Sequence, residues 1–198
     1  RLAALYTWRP RSSRWLRRYE SRVTPILTTT ERGAKDSWSV PLQLGELTFA
    51  SHDSLSYEIE RSHERLHQDF EIRDGVILRP GDYSTTNHVF SFETNKSRLA
   101  YLAVKARFGG FYTGNITSVE VEPTFILGPH LSVSSGYEEN HVNLNEGKFT
   151  TRLMSGRVDV AASPDLIWRN LVQYDGDTKS LSAQSRVRWI YKPGQEMF

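Results

Sequence analysis

The residues from His63 to His67 read H-E-x-x-H, a spacing that can do chemistry. In zinc hydrolases, two His one helical turn apart bind the metal, and the Glu activates a bound water. That geometry requires a helix, but the preceding Leu55, Tyr57 and Ile59 repeat every second residue, as in a strand. In extended backbone, residues four apart are separated by about 13 Å, too far to share one zinc ion. We therefore predict that this motif binds no metal.

A serine-hydrolase site would need a Ser, a His and an orienting Asn or Asp that project together. His88 and Ser91 are close in sequence, but a separation of three residues places them on opposite faces of a strand. His130 and His141 fall in predicted connections, and the sequence contains no G-x-S-x-G elbow. We therefore assign no catalytic residue, no cofactor-binding residue and no metal ligand, and we expect no cofactor. The sequence does not decide whether the protein is an enzyme, but it favours the interpretation that this segment is not catalytic.

Charged residues concentrate on one face of the predicted strands. A hairpin that turns between residues 112 and 113 places Lys105 opposite Glu120. Further charges on faces of this kind are Glu58, Glu60, Arg107 (opposite Ser118), Arg157, Asp159, Arg169, Arg186 and Arg188. They fit a charge-paired interior, in which opposite charges on neighbouring strands stabilise one another. Alternatively, they line a pore selective for anions or sugars.

The composition excludes several classes of protein. The net charge is +2 with 24% charged residues, and no basic block is interleaved with aromatics, so no nucleic-acid partner is expected. Cysteine is absent, which excludes disulfides. The mean hydropathy is −0.52, and no run approaches the ~18 apolar residues of a membrane helix, whereas a barrel strand needs only ~10 alternating residues. The first five residues lack the features of a signal peptide, so we expect the natural N-terminus to lie upstream.

Period 2 dominates the chain and predicts strands throughout. The clearest stretch runs from Leu181 to Tyr191, where one face is apolar and the other polar. The apolar face comprises Leu181, Ala183, Val187, Trp189 and Tyr191, and the polar face Ser182, Gln184, Arg186 and Arg188. We predict eleven strands, near residues 2–9, 14–28, 38–49, 53–61, 86–94, 98–108, 117–127, 130–139, 149–161, 165–175 and 179–191.

Hairpin centres test this alternation, because the register decides which side chains meet. Besides the turn between residues 112 and 113, four centres are predicted: at Lys96, at Pro129, at Ser163, and between Gly176 and Asp177. Each centre brings apolar residues together. The expected pairs are Phe92 with Ala100, Phe90 with Leu102, Phe125 with Val133, Val121 with Tyr137, Val160 with Leu166, Val158 with Trp168, Val172 with Leu181, and Leu166 with Val187.

The connections between predicted strands alternate in length. The short ones are 10–14, 51–53, 95–97, 128–130 and 163–165, and the long ones are 29–36, 62–84, 109–117 and 139–148. This rhythm is typical of membrane barrels with short periplasmic turns and long outer loops. Two aromatic belts fit it, with Trp8, Trp15, Trp189 and Tyr191 beside short turns and Trp38, Tyr57, Tyr137 and Tyr174 nearer long loops. Alternatively, these are ordinary core aromatics of a soluble sheet.

Several runs of the sequence resemble one protein family. They are 87–95 (NHVFSFETN), 108–114 (FGGFYTG), 129–133 (PHLSV), 136–138 (GYE), 149–151 (FTT), 163–166 (SPDL) and 188–194 (RWIYKPG). They resemble the C-terminal region of bacterial outer-membrane proteins of unassigned function. Those proteins join an N-terminal carbohydrate-binding-like domain to a C-terminal barrel and are often described as membrane-associated hydrolases. The resemblance identifies turns and strands and implies no catalytic residue.

The expected fold is therefore all-β, an up-and-down antiparallel meander that belongs to a transmembrane outer-membrane β-barrel. Residues 1–198 are expected to be one barrel segment, truncated at both ends, with an upstream domain and at least one closing strand missing. The expected location is the bacterial outer membrane, with the lipid bilayer and a saccharide or other small ligand as partners. The first functional hypothesis is transport, anchoring or saccharide-linked uptake. The alternatives are an outer-membrane hydrolase with its chemistry in loops or upstream, and a soluble β-sandwich binding module.

Overall fold

The computed structural model describes residues 3–29, 35–192 and 195–197, and it is built from strands. Fifteen strands occur in this part of the chain: β1 (Ala4–Trp8), β2 (Leu16–Val23), β3 (Ile26–Thr29), β4 (Lys35–Phe49), β5 (Ser54–Leu66), β6 (Phe70–Arg73), β7 (Val76–Leu78), β8 (Gly81–Glu93), β9 (Ala100–Phe111), β10 (Gly114–Ile126), β11 (Leu131–Asn143), β12 (Lys148–Ser163), β13 (Leu166–Asp175), β14 (Ser180–Lys192) and β15 (Gln195–Met197). No helix among the described residues has the length and apolar character of a membrane span.

The main sheet is an antiparallel meander, which confirms the predicted all-β, up-and-down fold. Its strands follow the order β1-β2-β4-β5-β8-β9-β10-β11-β12-β13-β14-β15, with β3 also paired to β4. Strands β6 and β7 form a separate two-stranded hairpin. Among the described strands the order contains no Greek-key crossing of the kind that a sandwich uses. In the described part of the chain the sheet is open, with β1 and β15 as its end strands, and these two strands are not paired with each other.

Each of the eleven predicted strands is present in the structure. One of them is divided into two strands, and three further strands were not predicted. The predicted strand 14–28 is divided into β2 and β3 around Pro25, which has no N–H to donate to the ladder. The additions are β6, β7 and β15. The hairpin β6–β7 turns at Asp74-Gly75, where Gly75 has a φ of 76° that glycine adopts without strain.

The predicted rhythm of short and long connections is wrong. Strands β9 and β10 are joined by a two-residue turn, Tyr112-Thr113, where a connection over 109–117 was predicted. Strands β11 and β12 are joined through Leu144–Gly147 rather than 139–148. The connection 62–84 holds the hairpin β6–β7, and much of 29–36 lies outside the described residues. These strands continue past their predicted ends because the extended backbone persists through polar and glycine residues.

The predicted hairpin centres are partly confirmed. The Leu127 N–H donates to the Leu131 carbonyl at 2.8 Å, which agrees with a centre at Pro129. In the β8–β9 hairpin the Thr94 N–H donates to the Leu102 carbonyl at 2.9 Å, so Leu102 does not lie opposite Phe90. The reason is a longer turn, in which Asn95 Oδ1 accepts the Ser97 N–H at 2.9 Å.

Two further hairpins are offset from the predicted register by two residues. Val160 lies opposite Trp168, and Leu166 opposite Trp189. Likewise, Val158 lies opposite Asn170, and Val172 opposite Ala183. The offsets arise where side chains cap the turns: Ser163 Oγ accepts the Asp165 and Leu166 N–H groups, and Asp175 Oδ1 accepts those of Asp177 and Thr178. Since these offsets are even, each side chain keeps its predicted face.

The chain divides into two compact units. The first comprises Arg1–Phe92, Lys105–Ser118 and Asn140–Thr150, and the second Glu93–Val104, Val119–Glu139 and Thr151–Phe198. The first unit has a small core, formed by Val76 and Leu78 of β7 with Val142 and Leu144. Leu78 is 0% exposed. The hairpin β6–β7 therefore packs against the ends of strands in its own unit.

Candidate functional site

The H-E-x-x-H motif lies at the end of a strand. Residues 63–66 belong to β5, which runs past its predicted end at residue 61 into the predicted connection 62–84, and His67 follows it. The His63 ring stacks on Trp38, with ring centroids 5.9 Å apart, and its Nδ1 lies 3.0 Å from Ser84 Oγ. Its Nε2 lies 3.4 Å from the Asp82 carboxylate. Among the described residues, no group of three or more His, Asp and Glu could hold a metal ion.

His88, His130 and His141 also have local partners. His88 is part of an aromatic stack in the first unit, between Tyr57 and Phe108, with centroids 6.1 and 5.2 Å away. Its Nδ1 lies 2.8 Å from the Tyr57 hydroxyl. His130 Nδ1 lies 2.6 Å from the Ala161 carbonyl, in a connection as predicted. The placement of His141 in a connection was wrong, because β11 extends to Asn143.

The polar face of the first unit is defined here as the side of β5, β8 and β9 that carries Glu60, Asn87 and Arg107. Arg107 forms an ion pair with Glu60, which also accepts a hydrogen bond of 2.7 Å from Ser39 Oγ. The Tyr112 hydroxyl donates to Glu64 at 2.9 Å. A cavity of about 220 Å³ lies among these residues. Thus Glu60 and Glu64 both have polar partners on this face.

Two polar atoms within this face are buried without a partner. Asn87 is 6% exposed, and its Oδ1 has no hydrogen-bond partner. The Nε of Arg107 is buried and equally unpaired. Gly109 of β9 lies very close to the backbone of β8, because a Cβ at this position would lie 2.3 Å from the Thr86 carbonyl oxygen. Its φ of 155° also favours glycine, so this residue lets β9 approach β8 closely.

The hairpin β6–β7 shields one end of this polar face. The Phe70 ring lies 6.4 Å from that of Tyr112, and Tyr83 packs edge-on to Tyr112 at 5.3 Å. Burial raises the pKa of Tyr112 to about 12, and its hydrogen bond to the Glu64 carboxylate adds to the rise. The hydroxyl therefore keeps its proton and acts as a donor to Glu64.

The polar face of the second unit is defined as the side of β12, β13 and β14 that carries Arg157, Arg169 and Arg186. Arg169 lies directly opposite Asp159 on one side and Arg186 on the other. All three arginines are exposed, and they line a cavity of about 390 Å³ together with Asp159, Leu171 and Gln184. None of the three forms a hydrogen bond or ion pair with another described residue. This face therefore presents guanidinium groups whose donors are available to a ligand.

Asp159 differs from the carboxylates of the first unit. Its Oδ1 is buried and has no hydrogen-bond partner among the described residues. The neighbouring Arg169 shares its register position but makes no ion pair with it. The sequence pattern placed all these residues on one polar face correctly, but only the register shows that Arg169 and Arg186 are directly opposed. The pattern also missed the ion pair between Glu60 and Arg107, because these residues lie on strands that are not neighbours in the sheet.

The opposite side of β12–β14 carries a polar cluster among apolar residues. Trp168 Nε1 donates to Ser185 Oγ at 2.7 Å, and Ser185 Oγ donates to Asn170 Oδ1 at 2.9 Å. Asn170 Nδ2 lies 3.5 Å from the Val158 carbonyl. The cluster thus connects three adjacent strands.

Comparisons of the chain with protein-family models, with curated proteins and with solved structures found no significant match.

Proposed function

We propose that this chain is part of a β-barrel in a bacterial outer membrane, with one face of the sheet towards lipid and the other towards an aqueous interior. The single observation that carries the proposal is the exposed apolar face of β12–β14. Its large exposed side chains are Met154, Val158, Trp168, Val172, Tyr174, Leu181, Val187 and Trp189. Leu181, for example, is 70% exposed.

This exposure of the apolar face departs from what a sheet in water requires. A water-soluble sheet buries its apolar face and solvates its polar one. Here the apolar face of β12–β14 is exposed, while the opposite face holds the arginines. Soluble monomers rarely leave apolar patches larger than a few hundred Å² uncovered. A lipid environment would cover this face without cost, because hydrocarbon tails are themselves apolar.

The strand lengths support the same proposal. β12 has 16 residues, β13 has 10 and β14 has 13. A tilted barrel strand crosses a bilayer with about 9–11 residues. In lipid every strand edge must be paired, so the proposal requires β1 and β15 to pair with each other or with further strands. The resemblance to outer-membrane proteins agrees with this requirement, since it implies additional strands and an upstream carbohydrate-binding-like domain.

The polar faces give the proposed barrel its role, which is the passage or reception of small polar solutes. Side chains that line a barrel interior select solutes by charge. The unpaired arginines of the second unit favour anionic solutes, and saccharides remain compatible with the hydroxyl and amide groups on the same faces. Anchoring of an upstream domain is compatible with the same barrel.

Cysteine labelling tests the proposal, because the natural chain contains no cysteine. Val172→Cys and Gln173→Cys place a thiol on opposite faces of β13, one residue apart. After refolding into phosphatidylcholine vesicles, a hydrophilic maleimide should label Gln173→Cys and leave Val172→Cys protected. Unfolded protein, in which both variants label, serves as the control. Equal labelling of both variants in vesicles would refute the proposed contact with lipid.

A further inference from the structure

The arrangement of the arginines on β12–β14 is costly for the folded chain by itself. Arg169 and Arg186 are register partners, and side chains directly opposite in an antiparallel pair have Cβ atoms about 4.5–5.5 Å apart. Like charges at that distance destabilise the pairing. Arg157 adds a third positive charge at the same cavity. Three arginines therefore line one cavity, in which Asp159 is the one carboxylate among the lining residues.

Guanidinium groups with free donors bind oxyanions well. Each has five N–H donors in a planar fork that matches the oxygens of a phosphate or carboxylate. Hydrogen bonds between charged groups are about twice as strong as neutral ones. A phosphate between Arg169 and Arg186 would thus replace their repulsion by attraction to a shared anion.

Asp159 and Gln184 add a second kind of contact at the same cavity. The buried and unpartnered Asp159 Oδ1 is an acceptor that a hydroxyl group can satisfy. The exposed Gln184 amide offers both a donor and an acceptor. A phosphate bound by the arginines alone would leave the Asp159 acceptor unsatisfied, whereas the hydroxyl of an attached sugar would satisfy it. The cavity of about 390 Å³ is within the range of small-ligand sites.

We propose that Arg157, Arg169 and Arg186, with Asp159, form a binding site for a sugar phosphate. The arginines bind the phosphate, and Asp159 accepts a hydrogen bond from a sugar hydroxyl. The proposal deepens the proposed function by naming the solute class, but the site itself needs only the polar face of the second unit. It therefore stands or fails independently of the bilayer.

Calorimetric titration of the refolded chain in a zwitterionic detergent tests the site. Glucose 6-phosphate is the probe, with inorganic phosphate and glucose as partial ligands. We expect glucose 6-phosphate to bind more tightly than inorganic phosphate, and glucose to show no binding. The affinity should fall as sodium chloride is raised, because salt screens exposed charges. Equal affinity for glucose 6-phosphate and inorganic phosphate, or no binding of either, would overturn the proposal.

Single charge removals test the assignment of the arginines. Arg169→Gln and Arg186→Gln should each weaken the binding of glucose 6-phosphate about tenfold, which corresponds to about 1.4 kcal/mol. The matched control is Arg152→Gln on β12, whose side chain lies on the opposite face and pairs with Glu139 at 2.7 Å. It removes the same charge and should leave the affinity unchanged. If Arg152→Gln weakens binding as much as the site variants do, general electrostatics and not this site explains the binding.

Asp159→Asn separates the two halves of the proposed contact. The substitution removes a negative charge, so inorganic phosphate should bind somewhat more tightly, and the preference for glucose 6-phosphate over inorganic phosphate should fall several-fold. An unchanged preference would show that Asp159 does not touch the sugar. Arg186→Lys keeps the charge and the fold, and should lose less affinity than Arg186→Gln.

A lipid headgroup is the other source of a phosphate group. Dihexanoyl phosphatidic acid, added in place of the sugar phosphate, should bind no more tightly than inorganic phosphate. Tighter binding of the lipid than of glucose 6-phosphate would overturn the proposal in favour of a lipid site. The cysteine labelling of β13 reads the apolar face, so failure of the proposed function and failure of this site give different results.

Discussion

The two units use their polar faces in opposite ways. In the first unit, Glu60 is held by Arg107 and Ser39, and Glu64 by Tyr112. In the second unit, Arg157, Arg169 and Arg186 are without partners among the described residues. Charges that satisfy one another stabilise the structure, whereas charges that the fold leaves unsatisfied remain available for a ligand. Glu60 and Glu64 of the first unit thus have partners within the chain, whereas the three arginines of the second unit have none among the described residues.

The burial of apolar residues follows the same division. The buried apolar residues of the described chain are Leu16, Val76, Leu78, Val89, Val142 and Leu144, and all lie in the first unit. The described part of the second unit has no buried apolar residue and presents its apolar side chains at the surface. Hence the first unit can draw stability from its own core, whereas the second depends on its strand ladder and on what covers its apolar face.

The largest effect is expected from the core of the first unit. Leu78→Ala removes a fully buried side chain and should lower the free energy of unfolding by about 2–5 kcal/mol. Ile77→Ala, next to it on β7, changes a side chain that is 42% exposed and should cost much less. Denaturant unfolding of the refolded chain measures both. Similar losses for the two variants would contradict the proposed anchoring of the hairpin by its buried side.

A charge on the apolar face of the second unit should have the next largest effect. Val187→Arg should cost about 2–4 kcal/mol if the residue lies near the middle of a bilayer. Ser182→Arg on the same strand introduces the same side chain on the polar face and should cost little. Unfolding from lipid vesicles distinguishes them. If both substitutions cost the same, the two faces of β14 are assigned wrongly and the difference between the units is lost.

The smallest effect concerns pH. The folded chain holds the Tyr112 proton more tightly than an unfolded chain does, because the folded pKa is about 12 against an ordinary 10.0. This contribution to stability is complete below the ordinary pKa and is lost as the pH rises towards the folded one. The free energy of unfolding of Tyr112→Phe should therefore fall less steeply at alkaline pH than that of the natural chain. Denaturant unfolding at several pH values, followed by circular dichroism, measures the difference.

Glu64→Gln is the matched control for the pH prediction. It keeps the burial of Tyr112, which is the main cause of the raised pKa, and removes the charge that adds to it. The alkaline loss of stability should then lie between those of the natural chain and Tyr112→Phe. If the free energy of unfolding of Tyr112→Phe depends on alkaline pH as steeply as that of the natural chain, the Tyr112 hydroxyl is not enclosed by the hairpin.

The sequence predicts the faces of the sheet better than its registers. Period 2 assigns Arg169 and Arg186 to a polar face and Trp168 and Val187 to an apolar one, and even offsets of the register leave those assignments intact. The offsets come from local hydrogen bonds, such as those of Asn95 and Ser163, which alternation does not encode. The opposition of Arg169 and Arg186, on which the proposed site depends, was hidden for the same reason.

The hairpin β6–β7 was missed although the sequence contains a signal for it. Asp-Gly between two short apolar-containing runs is a strong hairpin indicator, and Asp74-Gly75 fits it. Its strands have only 4 and 3 residues, too few for alternation to be recognised. The ion pair between Glu60 and Arg107 could not be predicted, because the residues lie on strands that are not adjacent in the sheet.

The cluster of Trp168, Asn170 and Ser185 has a consequence for how the strands find their alignment. Alternating side chains cannot distinguish the native register from one shifted by two residues, since both leave every apolar side chain on the same face. A shift of β14 by two residues against β13, however, would break the hydrogen bond between Ser185 Oγ and Asn170 Oδ1 on an apolar surface. The hydrogen bond between these two polar side chains therefore selects the native register. It makes the shifted register less stable, although both registers bury and expose the same apolar side chains.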